Sequence, residues 1–135
     1  MIAATQLRLV LVTPEKTLLD VPVKSLQFPL FDGQIGVLPG RTPMVGRLGI
    51  GALQLVDESG KQTFFIDGGF AQIKGSIVTL LTNKALPLDQ IDAEAAEKEL
   101  SKAMAVLPKT DSEFAEKELD IERARKQIGM RRWMN

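Results

Sequence analysis

The stretch GALQLVDESGKQTFFIDGGF, residues 51–70, decides the fold. Leu53 and Leu55 alternate with Gln54 and Val56, the turn-forming Asp57 to Gly60 interrupts them, and Thr63, Phe64, Phe65 and Ile66 resume an extended pattern. Successive side chains on a strand point to opposite faces, so two such runs around a short polar turn read as a β-hairpin. The same signature spreads in both directions. Leu7, Leu9 and Leu11 alternate, as do Leu26 and Phe28, and then Ile77, Thr79 and Leu81. Turn signals separate these runs at Thr13 to Lys16, Asp32-Gly33, Pro39-Gly40, Asp67-Gly68-Gly69-Phe70 and Lys74-Gly75-Ser76. The paired glycines at 68 and 69 read as a tight reversal between strands. Short strands with frequent turns, and no long crossover helices, predict an antiparallel sandwich or flattened barrel; the last strands are apolar on both faces, which fits two packed sheets.

After Pro87 the composition shifts to alanine, glutamate, lysine and leucine, with no glycine before Gly129. This is helix-forming sequence, and it predicts helices over about 91–107 and 111–132, separated by Pro108. Thr110 and Glu113 have capping-box spacing, and the short link makes the pair an antiparallel helical hairpin. The organisation is therefore α+β: a mainly β domain over 1–87 and a helical hairpin over 88–135. Ala96, Leu100, Ala103, Met104 and Leu107 form the apolar stripe of the first helix; Phe114, Leu119, Ile121, Ala124 and Ile128 form that of the second. An alanine seam buries little area at about 25 cal/mol per Å², so the hairpin is expected to dock weakly and to move as a unit.

Seventeen basic and seventeen acidic residues cancel across the 135-residue chain, but their distribution is uneven. Residues 1–87 carry 8 basic and 6 acidic groups, 88–122 carry 4 and 11, and 123–135 carry 5 and none. Acid-first, base-last order complements the dipole of the second helix, and Glu113/Lys117 and Glu122/Lys126 have pairing distance along it. Arg123, Arg125, Lys126, Arg131 and Arg132 nevertheless stand without an acid among them, around Met130 and Trp133. That tip calls for an anionic partner; one short patch beside an acidic helix makes a poor nucleic-acid groove binder.

Little in the chain does chemistry. Cysteine and histidine are both absent, which removes disulfides, thiolate metal sites and the usual triad base. Gly36 to Thr42 only partly imitates a phosphate loop: three residues rather than four separate the glycines, and arginine stands in place of the lysine. Asp20, Asp32 and Asp67 are scattered among turns and form no acid/base pair. No run reaches the length of a membrane span, and the start lacks a basic leader and cleavage site, so an unsecreted protein is expected.

Taken in order, these pieces resemble the epsilon subunit of F-type ATP synthase. The family pattern has a strand ending V-x-x-P/A-E/D, an acid-Gly-x-[IL]-G-[VI]-L-P-G-H-A-P-[LM] segment, a G-x-[LM]-x-[IVL] strand, a paired-glycine turn, V-T-[VL]-L and two helices. Here these are Val10 to Glu15, Asp32 to Met44, Gly51 to Leu55, Asp67 to Ile73, Val78 to Leu81 and the alanine-rich tail. Arg41-Thr42 replaces the usual His-Ala, and Asp67 replaces a small residue. ATP-binding members begin the first helix with I/L-D-x-x-R-A; Ile91, Asp92 and Ala96 match, while Ala95 stands in place of the arginine.

The resemblance implies a ten-stranded sandwich and a noncatalytic rotor subunit coupling proton flow to ATP synthesis. Its implied partners are the gamma subunit, the ring of c subunits and the beta subunit, with membrane contact only through the complex. It places Asp32, Gly33, Ile35, Gly36, Leu38, Pro39, Gly40, Arg41 and Pro43 at the rotor ring. It brings Arg123, Arg125, Lys126, Arg131 and Arg132 to an acidic loop of beta, where the hairpin would restrain ATP hydrolysis. The implied location is peripheral, on the cytoplasmic face of a bacterial plasma membrane. No cofactor or metal is required, and weak ATP binding stays open. A nucleotide-sensing module whose hairpin clasps ATP is the alternative reading.

Overall fold

The computed structural model describes residues 6–40 and 43–134. The chain divides after Pro87 into two compact units. Among its described residues the first holds eight strands: β1 (Leu7–Val12), β2 (Thr17–Val23), β3 (Ser25–Leu30), β4 (Gly33–Val37), β5 (Met44–Asp57), β6 (Gly60–Lys74), β7 (Ile77–Leu81) and β8 (Ala85–Pro87). They run in the order β2-β1-β7-β6-β5-β3-β4, with β8 added to β6.

Eight strands replace the expected ten because β5 and β6 do not break. They form the hairpin read from residues 51–70, pairing from Asp57↔Gly60 back to Met44↔Ile73, and each passes through both layers of the sandwich. The near halves, Met44 to Leu48 and Phe70 to Lys74, lie with β7, β1 and β2; the far halves lie with β4, β8 and most of β3, whose end returns to the near half at Leu30↔Leu48. Between the layers, Leu9, Leu11, Leu48, Ile73, Val78 and Leu80 from one side share a core with Leu26, Phe28, Val37, Leu53, Leu55 and Ile66 from the other.

Asp67 to Phe70 is thus no reversal; it is the bend at which β6 crosses between layers. Leu48↔Gly69 and Ile50↔Asp67 keep one register on both sides of it, and Gly49 and Gly68 fall in the gap. Gly69 has φ +112, and a Cβ there would overlap the carbonyl oxygen of Leu81, so no other residue fits without moving β7. Across the strand pair, a Cβ on Gly49 would lie 2.8 Å from the Leu30 carbonyl oxygen. The buried Thr82 holds the bend: its hydroxyl accepts from the Asp67 amide at 3.2 Å and donates to the Gly68 carbonyl at 2.7 Å.

Two further expectations change. The sheet is not wholly antiparallel, since β1 pairs with β7 in parallel, Arg8↔Ile77 through Val12↔Leu81. In β7 it is Val78 and Leu80 that are buried, while Ile77 and Leu81 face outward. Both parities of that strand are apolar, so alternation alone did not select the inner one.

The second unit opens with a 3-10 turn, Leu88–Gln90, followed by α1 (Ala93–Met104) and α2 (Asp111–Trp133). Asp92 caps α1 by accepting from the Ala95 amide at 3.1 Å. Thr110 caps α2 by accepting from the Glu113 amide at 3.1 Å, and the Glu113 carboxylate reaches back to the Lys109 amide at 2.7 Å, one residue beyond the expected one. Lys117 does not serve as the expected partner of Glu113. Its ammonium donates to the carbonyls of Met104 and Val106, closing the end of α1 at 3.3 and 2.8 Å. Ala96, Ala103, Ala124 and Met130 are buried, whereas Met104, Leu107, Phe114 and Leu119, expected in the stripes, are exposed. The apolar seam is even narrower than the sequence predicts.

Candidate functional site

Three surfaces carry the candidate residues, and they are reached from different elements. The first is the segment Asp32 to Pro43. Asp32 sits in the turn between β3 and β4, and Gly33, Ile35 and Gly36 belong to β4, which is the terminal strand of the sheet order. Ile35 packs against the core and Val37 is fully buried, so β4 is anchored from within. Leu38 is exposed, Pro39 and Gly40 turn, with Gly40 at φ +88, and Pro43 is exposed. Arg41, with Thr42, lies outside the described residues. Asp32 to Gly40 is a turn, the terminal strand and a second turn, and among the described residues the next element is β5 rather than a helix start that could receive a phosphate.

The second surface was not singled out in the sequence. On the layer containing β1, β7 and the near halves of β5 and β6, the outward residues form a cross-strand row. Phe31 donates its amide to the Arg47 carbonyl, Arg47 pairs with Phe70, Phe70 with Leu81, and Leu81 with Val12. The Arg47 guanidinium lies over the Phe31 ring, 4.9 Å from its centroid. A second row runs Val45, Gln72, Thr79 and Val10, and a third joins Lys74, Ile77 and Arg8. A shallow groove follows the β6 bend and is lined by Val12, Arg47, Gly69, Phe70, Leu81 and Asn83, among others. The signal that pointed here was the two-sided apolar character of β6 and β7; what hid it was the pairing of Phe31 with Arg47 across a loop.

The third surface is the carboxyl-terminal half of α2. Helical spacing puts Arg125 and Arg132 on one line, with Lys126 and Trp133 on the adjacent one, and all four are exposed. Arg131 is half-buried on the other side, and Arg123 is bonded to Asp120 at 2.8 Å. The five cations therefore divide, and three face outward together. Glu118 and Glu122 lie beside Arg125 and Lys126 along a shallow surface groove, and Arg132 lies one turn or more beyond them.

The residues matching the nucleotide motif have local duties. Asp92 is the α1 cap, Ala96 is buried, and Ile91 is buried just before the helix, while Ala95 is exposed. No group of three acidic side chains that could hold a metal occurs among the described residues. Among those residues, too, no helix is long and apolar enough to cross a membrane. A titration that the fold clearly moves is structural: Asp57, where β5 enters the turn to β6, accepts from the Ser59 hydroxyl and amide and from Gln62, which holds its carboxyl below the usual 3.8.

Comparison with known proteins gives a consistent picture. The family "ATP synthase, Delta/Epsilon chain, beta-sandwich domain" matches residues 6–88. The ATP synthase epsilon chain of Rhodopirellula baltica is 43% identical over 122 residues, covering 90% of this chain and 95% of its own. Among solved structures, a chain in the OSCP/F1/c-ring assembly of Euglena gracilis mitochondrial ATP synthase superposes with a TM-score of 0.82 at 29% identity, over 90% of this chain and 79% of that one. A chain in the central stalk/c-ring structure of the Tetrahymena thermophila mitochondrial enzyme shares the fold, with a TM-score of 0.72 at 12% identity over 93% and 96% of the two chains.

Proposed function

Because this chain belongs to the epsilon family of ATP synthase, as a noncatalytic subunit, we propose that it works in the central stalk by joining the gamma subunit to the ring of c subunits. The observation that carries this reading is the likeness, over 90% of this chain, to a chain found within an F1/c-ring assembly. The segment Asp32 to Pro43 is the part offered to the rotor ring: Leu38 is exposed just beyond an anchored strand, with no charged side chain between Gly33 and Gly40. Such a contact transmits torque through packing and needs no chemical group.

In this reading the helical unit is regulatory. Arg125, Lys126 and Arg132 meet an acidic loop of beta, supported by Arg123 and Arg131, and the contact restrains ATP hydrolysis. The narrow alanine seam supports a hairpin that changes its packing at low cost. The complex sits on the cytoplasmic face of a bacterial plasma membrane, and this chain touches lipid only through its partners. Any ATP binding is weak, because Ala95 supplies no cation at the position of the motif arginine.

The test is reconstitution of the catalytic head with the full chain or with a chain ending at Leu86. Retained gamma binding with faster hydrolysis is expected of the shortened chain. Unchanged hydrolysis rejects the regulatory role, and loss of gamma binding by the folded sandwich rejects the attachment.

A further inference from the structure

We propose that Arg47, held against the Phe31 ring, is the specificity-determining residue of a docking face, and that it reads a carboxylate on an otherwise apolar segment of the gamma subunit. This rests on the attachment to gamma proposed above and says which chemistry that attachment uses.

The outward face of β1, β7 and the near halves of β5 and β6 combines two properties rarely left open to water. It exposes large apolar side chains side by side: Phe31 at 72%, Val45 at 74%, Phe70 at 58% and Leu81 at 50% of their full surface. A contiguous apolar patch of this kind marks an interaction site. Its charges are also one-sided. The outward positions of these four strands carry Arg8, Arg47 and Lys74 and no acid. The neighbouring strand supplies Asp20, but Arg8 occupies it at 2.6 Å. Arg47 and Lys74 therefore present positive charge amid apolar surface, and the complementary partner is apolar and acidic.

Arg47 is the better placed of the two cations. Its backbone carbonyl is tied to the Phe31 amide at 2.8 Å, and its guanidinium lies over the same residue's ring. A guanidinium held over an aromatic face still offers the donors of its fork, which can receive a carboxylate through two parallel bonds. The ring contact restrains the side chain, so less rotamer freedom is lost when the partner arrives. Phe70 and Leu81 continue the row and exclude water from one side of the pair.

The experiment measures the affinity of the full chain for the gamma subunit of its own synthase at low and at moderate salt. Arg47→Ala is expected to weaken binding about tenfold and to flatten the salt dependence, and Arg47→Glu to weaken it about a hundredfold. Arg47→Lys keeps the charge without the fork and falls between Arg47→Ala and the wild type; Phe31→Ala weakens binding although it removes no charge. Lys61→Glu, at the far start of β6, serves as the control for net charge and leaves the affinity unchanged. Wild-type binding that Arg47→Ala leaves at the same affinity and salt slope overturns the inference while the attachment stands. No wild-type binding to gamma overturns both.

Discussion

Gly69 lies directly beneath the carbonyl of Leu81: a side chain on the one would occupy the space of the oxygen of the other. The contact lets β6 turn from one layer of the sandwich into the next without leaving the sheet, because Phe70 pairs with Leu81 immediately beyond it. Gly69→Ala combines this overlap with an unfavourable φ and is expected to cost about 3 kcal/mol or more. Denaturant unfolding of the two proteins checks it, and a change within about 0.5 kcal/mol would show that β7 yields easily.

Thr82 is the polar half of the same bend. Thr82→Val keeps shape but strips the Gly68 carbonyl of its donor and the Asp67 amide of one acceptor, and should destabilise by about 1–3 kcal/mol. Thr82→Ser, which keeps the hydroxyl, should recover most of that loss. Equal midpoints for the valine and serine variants would mean that the hydroxyl contributes nothing.

At the start of α2, Thr110→Ala removes the acceptor for the Glu113 amide and is expected to cost the hairpin about 1 kcal/mol. Amide exchange at Ser112 and Glu113 should accelerate, while protection of the β5–β6 ladder stays the same. Loss of protection in both units together would show that they unfold as one.

The Asp57 turn has a defined acid sensitivity. The Ser59 and Gln62 hydrogen bonds favour the carboxylate, so the folded carboxyl titrates below its ordinary 3.8. Its contribution is fully present above that value and is lost as pH falls through the lower, folded one. Carboxyl chemical shifts followed from pH 5 downward should show Asp57 protonating after an unstructured aspartate, and Asp57→Asn should remove the acid dependence at the Ser59 amide. A midpoint at or above the ordinary value contradicts this account.

What could be read from the sequence was local. The hairpin around Asp57 to Gly60, the Thr110 cap and the change of character at Pro87 each depend on residues a few positions apart, where turn chemistry and periodicity act directly. The misread features depend on distant neighbours. Paired glycines suit a reversal and a bend equally, and only the Leu81 carbonyl, from the next strand, decides between them at 68–69. Ile77/Leu81 and Val78/Leu80 are equally apolar, so which pair turns inward follows from pairing with β6 and β1. Arg47 belongs with Phe31 only because β3 folds back beside β5. Lys117 turned from its helical neighbour to the carbonyls ending α1 for the same reason: the hairpin brought those carbonyls within reach, while the Glu113 carboxylate is taken up by the Lys109 amide.

The parallel pairing of β1 with β7 also sets an order of assembly. The β5–β6 hairpin closes a short loop and forms early, but Arg8 meets Ile77 across almost the whole unit, and so long a loop is closed late and slowly. A chain emerging from the ribosome holds β1 unpaired with its eventual neighbour until β7 has been made. The row that ends in Val12 is completed at that moment, so the docking face exists only on a sandwich whose first and last long strands have met, and an unfinished or misfolded chain has no surface with which to enter the rotor.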